Sequence, residues 1–338
     1  MGVSQCVWVC LLVGCVSAHS SSLFNTQLLI KNVNAANASW TAGQNFADDI
    51  PIAYIKQLLN PVFPKKRSFK EYRYIKDDEP IPEQFDSREN WPKCSYIPHI
   101  RDQGSCASGW AVAAATTFSD RYCIFSKGNF SKPFSSYHLL TCCEKCGDGC
   151  NGGLDYKAWE FFEENGIVTG GDYHSHSGCL PYQLKPCQHN PQSKQPQCLI
   201  FQKHTTPKCV KTCVNKRYHV KFYNDHRKVN NIYYLPKDTK QIQREIMKNG
   251  PVQAAFVVYE DFVVYKSGVY HQTTGNALGG HSVRIIGWGK NILQDEPYWL
   301  VANSWNTNWG DHGFFKIRRG TNECGIEDEV IAGDPLIT

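Results

Sequence analysis

Three separated stretches of this 338-residue chain carry side chains that could act together in nucleophilic chemistry. They are residues 103–110 (QGSCASGW), 279–283 (GGHSV) and 303–305 (NSW). A cysteine thiolate becomes an effective nucleophile when its pKa falls beside an imidazole or at a helix N-terminus. Glutamine can donate a hydrogen bond to a developing oxyanion, and asparagine can fix the orientation of a histidine ring. The three stretches taken together, and not any single residue, indicate a site.

Helices and strands of ordinary length would have to position these side chains. Residues 109–122 are rich in alanine and predict a buried helix that begins at the end of the first stretch. Residues 51–59, 135–142 and 154–165 predict further helices. Short apolar or alternating runs at 252–259, 280–288, 298–303 and 313–318 predict strands. Helices that precede strands predict an α+β fold with two layers that meet at a cleft.

The composition and the charge of the chain exclude several classes of protein. Hydrophobic residues make up 41% and charged residues 20%, which is typical of a globular protein, and the net charge is +5. We recognise no basic tract interleaved with aromatic residues and, beyond the N-terminus, no run of about 18 apolar residues. We therefore expect a monomer with no nucleic acid and no membrane as partners, and with no metal ion and no cofactor.

The first 80 residues divide into two segments that differ from the rest. Residues 1–18 combine an apolar run at 7–16 with small residues at 16–18, which predicts a signal peptide. A membrane anchor is the alternative, but about ten apolar residues are too few to span a bilayer. Residues 19–80 contain no cysteine and include the basic run Lys65-Lys66-Arg67, which predicts a propeptide cut at an exposed connector, or else a permanent N-terminal arm. We expect secretion, or delivery to the endosomal or lysosomal lumen.

Cysteines are frequent in the main body, residues 81–338, which is also rich in Trp and Gly. Three of the 16 cysteines fall within residues 1–18, and an odd number remains, so at least one thiol is free or pairs outside the chain. In a secreted protein this density predicts a disulfide framework, although Cys143, Cys146 and Cys150 also have the spacing of a zinc site. The sequons at Asn37 and Asn129 are candidate glycosylation sites.

The first stretch resembles the signature around the nucleophile of papain-family cysteine peptidases, C-G-[SA]-C-[WY]. The chain matches this pattern at Cys106, Ser108 and Trp110. It departs at Ala107 and, more importantly, at Gly109, where the family has its reactive cysteine. The resemblance thus implies a member of the family without a nucleophile.

The other stretches resemble the same family and, within it, cathepsin B. By this resemblance His281 is the general base, Asn303 orients it, and Gln103 binds the oxyanion. Residues 149–153 (GCNGG) resemble the substrate wall, through Gly152 and Gly153, and residues 40–46 (WTAGQNF) resemble the propeptide. The fold implied is the papain-like α+β fold, with a helical left lobe and a β-barrel-like right lobe.

Cathepsin B also carries an occluding loop, and the 172 residues that separate positions 109 and 281 leave room for one within about 179–218. The spacing typical of papain-like enzymes is roughly 130–150 residues. The resemblance implies that His189 pairs with Asp102 to pin the loop, and that Asn190 replaces a second histidine that receives the substrate carboxylate. Glu329 matches the acidic residue of the second specificity pocket, and Trp305 lines the substrate site.

The resemblance also implies a disulfide pairing that uses twelve cysteines and leaves Cys324 free. The implied pairs are Cys94–Cys123, Cys106–Cys150, Cys142–Cys209, Cys143–Cys146, Cys179–Cys213 and Cys187–Cys198.

Because Gly109 has no side chain, we expect a secreted pseudopeptidase that does not hydrolyse peptides efficiently. Ser108 lies about 100° away around the helix, and Cys106 is expected in a disulfide, so neither replaces the nucleophile. The expected partners are peptides or cystatin-type inhibitors in the cleft, and the chain's own propeptide. The alternative is an active cathepsin B-like endopeptidase, if Gly109 is an error or another nucleophile substitutes. A third hypothesis is a secreted antigen or storage protein whose role depends only on its stable fold.

Overall fold

The computed structural model describes residues 24–48, 50–61, 72–76, 79–189, 198 and 205–337. The predicted signal peptide, the basic run at 65–67 and Asn190 lie outside these residues. Within the described ranges, no helix is both long and apolar enough to cross a membrane.

Helices are concentrated in the first two thirds of the described residues. They are α1 (Thr26–Ala35), α2 (Ile52–Gln57), α3 (Ser87–Asn90), α4 (Gly109–Phe125), α5 (Ser136–Cys142), α6 (Asp155–Glu164) and α7 (Thr239–Asn249). The predictions for α2, α4, α5 and α6 are confirmed with small shifts of their ends. The polar helices α1 and α7 were not predicted, although Asp238 caps the first turn of α7 and Gly250 ends it at φ 95°.

The strands form one mixed sheet in which all pairs except one are antiparallel. They are β1 (Trp40–Ala42), β2 (Phe85–Asp86), β3 (Val229–Tyr234), β4 (Val252–Tyr259), β5 (Tyr265–Tyr270), β6 (Ala277–Asn291), β7 (Glu296–Ala302), β8 (Phe314–Arg318) and β9 (Val330–Pro335). Their order is β1-β5-β8-β7-β6-β4-β9-β3, β2 pairs with β6, and β5 runs parallel to β8.

The four predicted strands correspond to β4, β6, β7 and β8. Strand β6 is longer than predicted because it pairs with β4 on one side and with β7 on the other. Strands β3, β5 and β9 were not predicted, since each is short and mixes polar with apolar residues. The α+β class is confirmed.

Two hydrophobic cores separate the molecule into two lobes. One core lies among α4, α5 and α6 and includes Phe118, Trp159 and Phe162. The other lies on the sheet and includes Phe256, Trp299 and many further side chains. The cleft between the lobes is where the start of α4 meets β6, so the first two motifs of the sequence lie on opposite lobes.

The N-terminal segment, residues 24–61, packs on the sheet lobe as part of its core. Strand β1 pairs with β5. The side chains of Phe46, Tyr54 and Leu58 are at most 1% exposed. The amide of Asn45 donates to the carbonyl oxygens of Val263 (3.0 Å) and Tyr265 (2.7 Å). This segment therefore contributes to the fold, and its last residues enter the cleft.

Candidate active site

The position expected for the nucleophile is the first residue of α4, at the floor of the cleft. Gly109 is buried there, and a Cβ built on it would lie 2.6 Å from Cε1 and 2.7 Å from Nδ1 of His281. Real Cβ atoms do not approach other atoms so closely, so the imidazole occupies space that a side chain at position 109 would need.

His281 lies on β6 opposite Phe256 of β4, and only 3% of it is exposed. Its Nε2 lies 2.8 Å from Oδ1 of Asn303, and its ring stacks on the indole of Trp305 with centroids 5.0 Å apart. Burial lowers the pKa of His281 to about 4, although the hydrogen bond to Asn303 acts in the opposite direction. The ring is therefore neutral at physiological pH, with its orientation fixed from two sides.

Gln103 contacts both lobes and the N-terminal segment. Its Nε2 donates to the carbonyl oxygens of Leu58 (2.9 Å) and Cys106 (2.8 Å). Its Oε1 accepts from the Ser304 hydroxyl at 2.7 Å. The amide donor that the resemblance assigns to the oxyanion is thus bound to a backbone carbonyl of the segment that fills the cleft.

The glycine-rich wall accommodates the same segment. Gly152 has φ 112°, and a Cβ there would lie 2.5 Å from Oδ1 of Asn60. The Asn60 amide donates to the Gly153 carbonyl (2.7 Å), and its backbone exchanges two 2.9 Å hydrogen bonds with Gly280. A Cβ on Gly153 would meet the Trp110 ring at 2.5 Å, so both glycines are required by close contacts.

Other nucleophilic side chains near Gly109 are already engaged. The Ser108 hydroxyl lies 2.8 Å from the Tyr182 hydroxyl, and both groups are buried. Cys106 is joined to Cys150. Of the described cysteines only Cys324 is unpaired, and it lies in the loop before β9, where burial raises the pKa of its thiol.

Comparison with known proteins agrees with this arrangement of motifs. The profile described as "Papain family cysteine protease" matches residues 81–333. "Cathepsin B-like cysteine proteinase 4" of Caenorhabditis elegans is 43% identical over 314 residues, which is 92% of each chain. "Cathepsin B-like cysteine proteinase" of Schistosoma japonicum is 47% identical over 253 residues, or 75% of this chain and 73% of that protein.

The chain belongs to the papain family of cysteine proteases. Among solved structures, proCathepsin B S9 from Trypanosoma congolense matches with a TM-score of 0.80 at 36% identity, covering 94% of this chain and 100% of that one. The fold is therefore papain-like, as the resemblance implied, and the chain is cathepsin B-like. A second profile, "Peptidase family C1 propeptide", matches residues 25–59, so the segment in the cleft is a propeptide.

The disulfide framework of this cathepsin B-like chain has the implied pairing. All six pairs form, with Cα–Cα distances from 4.5 to 5.7 Å. The alternative of a zinc site is wrong, because Cys143 pairs with Cys146 and Cys150 with Cys106.

The expected ion pair between His189 and Asp102 is absent. Nδ1 of His189 instead lies 3.1 Å from the Tyr54 hydroxyl, and its ring packs on Phe46 at 4.8 Å. One oxygen of Asp102 accepts from the Gly104 N–H at 2.7 Å. With the propeptide in the cleft the pair does not form, because Tyr54 and Phe46 of the propeptide hold this histidine. The pairing in a chain without its propeptide stays a prediction.

Glu329, Asn37 and Asn129 were also predicted as functional residues. Glu329 is half-buried and directly precedes β9. The next residue, Val330, pairs with Ala254 of β4, which lies two residues from Phe256, the residue opposite His281. Asn37 and Asn129 are both exposed. The roles of Glu329 and Asn190 stay predictions.

The propeptide contacts were the main feature that sequence reasoning missed. The helix predicted at 51–59 indicated an ordered element, but the positions of Tyr54, Leu58 and Asn60 in the cleft depend on long-range packing. The sequence motif at 40–46 indicated that a propeptide is present, but not where it packs.

Proposed function

We propose that this cathepsin B-like chain is a pseudopeptidase that binds peptides or inhibitors in its cleft without efficient hydrolysis. The observation that carries the proposal is Gly109 at the start of α4, facing His281. Papain-type hydrolysis begins with attack by a thiolate, and the imidazole and amide donors only assist that attack. The engagement of Ser108 with Tyr182 and of Cys106 with Cys150 supports the absence of a substitute.

Peptide binding is supported by the propeptide, which is itself a peptide in the cleft. Its Leu58 carbonyl meets the Gln103 amide, and Asn60 pairs with Gly280 as in an antiparallel strand. An extended peptide in the same track would form the same backbone hydrogen bonds. A cystatin-type inhibitor would enter the same cleft once the propeptide has left it.

An extracytoplasmic location agrees with the disulfides and the predicted signal peptide. Disulfides persist in secreted proteins and in the lumen of secretory and lysosomal compartments. This chain has six of them. The exposure of Asn37 and Asn129 is compatible with glycosylation there. The alternative of an active endopeptidase requires that Gly109 is an error or that another residue acts as the nucleophile. A storage or antigen role predicts no specific ligand in the cleft.

The test is hydrolysis of a fluorogenic dipeptide with arginine next to the reporter, after an added endopeptidase has removed the propeptide. We expect no turnover by the unmodified chain and an increase of at least about 10³-fold for Gly109→Cys at mildly acidic pH under reducing conditions. His281 must shift to admit the new side chain, since the Cβ would otherwise lie 2.6 Å from its ring.

Two further variants serve as controls. Gly109→Ala adds the Cβ without the thiol and should stay inactive, and His281→Ala in the Gly109→Cys background should abolish the restored activity. Purified precursor incubated alone at acid pH should keep its propeptide. Enzyme-like turnover by the unmodified chain, or its spontaneous processing, would show that a nucleophile other than position 109 exists and would refute the proposal.

A further inference from the structure

Residues 72–76 form a short segment that lies against β3, the last strand of the sheet. The propeptide profile ends at residue 59 and the papain profile begins at residue 81, so neither covers it. Exposure alternates along the segment: residues 72, 74 and 76 are exposed, whereas Arg73 and Ile75 are half-buried. Alternation with a period of two is typical of an extended chain with one face on a surface. Arg73 and Ile75 therefore form the face that contacts the main domain.

The guanidinium of Arg73 is held from two directions. It donates to the two carboxylate oxygens of Asp334 on β9, at 2.8 and 2.6 Å. Its Cζ lies 3.6 Å from the centroid of the Tyr233 ring on β3. A planar guanidinium suits both contacts, since it forms two parallel hydrogen bonds to a carboxylate and stacks on an aromatic face, whereas a lysine ammonium is a point charge. The two contacts therefore favour arginine over lysine.

The backbone of the segment is bound as well. The Arg73 N–H donates to the Tyr234 carbonyl at 2.9 Å. Two residues later the Gln241 side chain on α7 contacts both backbone groups of Ile75. Its Oε1 accepts from the N–H at 2.6 Å, and its Nε2 donates to the carbonyl at 3.4 Å. Backbone hydrogen bonds with side-chain contacts at alternate residues are how an extended peptide binds to the edge of a sheet.

The buried charges of the main domain require a cation at the place where Arg73 lies. Asp334 and Glu245 carry two negative charges and Arg121 carries one positive charge. The Arg121 guanidinium lies 2.8 Å from Glu245 but 4.0 Å from Asp334, so its closer partner is Glu245. The Asp334 side chain is only 23% exposed, and a carboxylate with so little access to water needs a direct partner. Arg73 provides that partner and balances the four charges.

We propose that Asp334, Tyr233 and Gln241 form a docking site outside the cleft for an arginine-containing extended segment, and that residues 72–76 stay docked there after the residues before them have been cut away. The removable part of the chain then ends before residue 72, and not at residue 80 as expected from the sequence. Because the segment is joined to the main domain at residue 81, its local concentration at the site stays high after a cut upstream. None of the three side chains is among the cleft residues described above, so the inference does not depend on the chemistry at Gly109.

The test is digestion of the full-length protein with an arginine-specific endopeptidase, followed by mass spectrometry of the new N-termini. Cleavage after Arg67 gives a chain that begins at Ser68, and cleavage after Arg73 gives one that begins at Tyr74. A docked guanidinium cannot enter the pocket of the endopeptidase, so the bond after Arg73 is cut only when the segment leaves its site. We expect this bond to be protected in the unmodified chain.

Three variants measure what holds the segment. Asp334→Asn removes the charge partner and should raise the rate of cleavage after Arg73 about tenfold or more, because the segment then leaves its site more often. Gln241→Ala removes backbone contacts only and should raise this rate about threefold. Asp328→Asn is the matched control, since it makes the same replacement in an exposed ion pair, and it should change the rate less than about twofold.

Cleavage after Arg121, whose side chain is fully buried, reports unfolding of the whole chain in each variant. If Asp334→Asn permits that cleavage, Gln241→Ala, which keeps every charged group, becomes the decisive variant. A decisive variant that is cut after Arg73 no faster than the unmodified chain would overturn the proposal. A main product of the unmodified chain that begins at Tyr74 would overturn it as well.

Discussion

At the scale of single residues, Gly109 and His281 fit each other in this structure. The ring lies where a side chain at position 109 would stand, yet it keeps its hydrogen bond to Asn303 and its stacking on Trp305. The site is thus filled by its own histidine. Introducing a thiol at position 109 therefore requires the buried ring to move. The hydrolysis rate of Gly109→Cys then reports how easily the ring moves.

The pH dependence of stability can be tested at His189. Its pKa is lowered to about 4 by burial, whereas an unfolded histidine titrates near 6.5. The unfolded chain therefore binds this proton first, and stability falls as the pH decreases from about 6.5 to about 4. We expect His189→Asn to flatten the decrease of Tm over this range. His219→Asn, which makes the same replacement at an exposed histidine, is the matched control variant.

Two buried carboxyl groups change the stability with pH in the direction opposite to His189. Neither is altered in the two histidine variants. Burial raises the pKa of Asp102 and of Asp120 to about 6, so each favours the folded state as the pH falls from about 6 toward 4. The comparison between the two histidine variants isolates His189 from them. Identical Tm profiles for both variants would contradict a lowered pKa at His189.

At the scale of elements, the propeptide behaves as a structural part of the sheet lobe. Strand β1 extends the sheet through β5, and the backbone of Asn60 pairs with Gly280 of β6. Farther along the chain, Arg73 forms a bidentate ion pair with Asp334 at 2.8 and 2.6 Å. Each contact joins the N-terminal part of the chain to an element that belongs to the main domain.

We therefore expect truncation of a buried propeptide side chain to destabilise the whole precursor. Phe46→Ala removes a fully buried ring and should lower the free energy of unfolding by about 3–5 kcal/mol. Leu28→Ala, on the exposed face of α1, should cost less than about 1 kcal/mol. Urea unfolding of both full-length variants provides the measurement. Equal, small losses would mean that the propeptide unfolds separately from the main domain.

At the scale of the molecule, a buried charge network joins the helical lobe to the sheet lobe. Arg121 of α4 is fully buried, and its guanidinium donates to Glu245 of α7 (2.8 Å), to the Tyr233 hydroxyl (2.7 Å) and to the Gly333 carbonyl (3.0 Å). The Tyr233 hydroxyl donates to Glu245 as well. These contacts cross the boundary between the two cores, so they couple the lobes.

Removal of the Glu245 carboxylate should weaken this coupling strongly. Glu245→Ala removes the nearer carboxylate from the buried guanidinium at 2.8 Å and leaves only Asp334 at 4.0 Å, so we expect a loss of about 3 kcal/mol or more in the free energy of unfolding. Glu163→Ala, on the exposed side of α6, should leave the stability within about 0.5 kcal/mol. Denaturant titrations compare the two. A small effect of Glu245→Ala would show that Asp334, the Tyr233 hydroxyl and the backbone carbonyls are enough to satisfy Arg121.

The sequence by itself determined the family, the α+β class and the absence of a side chain at position 109. Motifs such as QGSCASGW depend on residue type at short spacing, which is visible without coordinates. The same holds for α4, whose alanine-rich run is fully buried, and for β4, whose residues 254–258 are a continuous apolar run. The disulfide pairing followed from the resemblance.

Only the tertiary structure decided which groups meet across long separations. The His281 ring fills the space next to Gly109. His189 contacts Tyr54 in place of Asp102. The Leu58 carbonyl accepts a hydrogen bond from the Gln103 amide. The physical reason is that local patterns specify what each segment can form. Packing between segments distant in sequence decides which polar groups are buried, and therefore which partners they have.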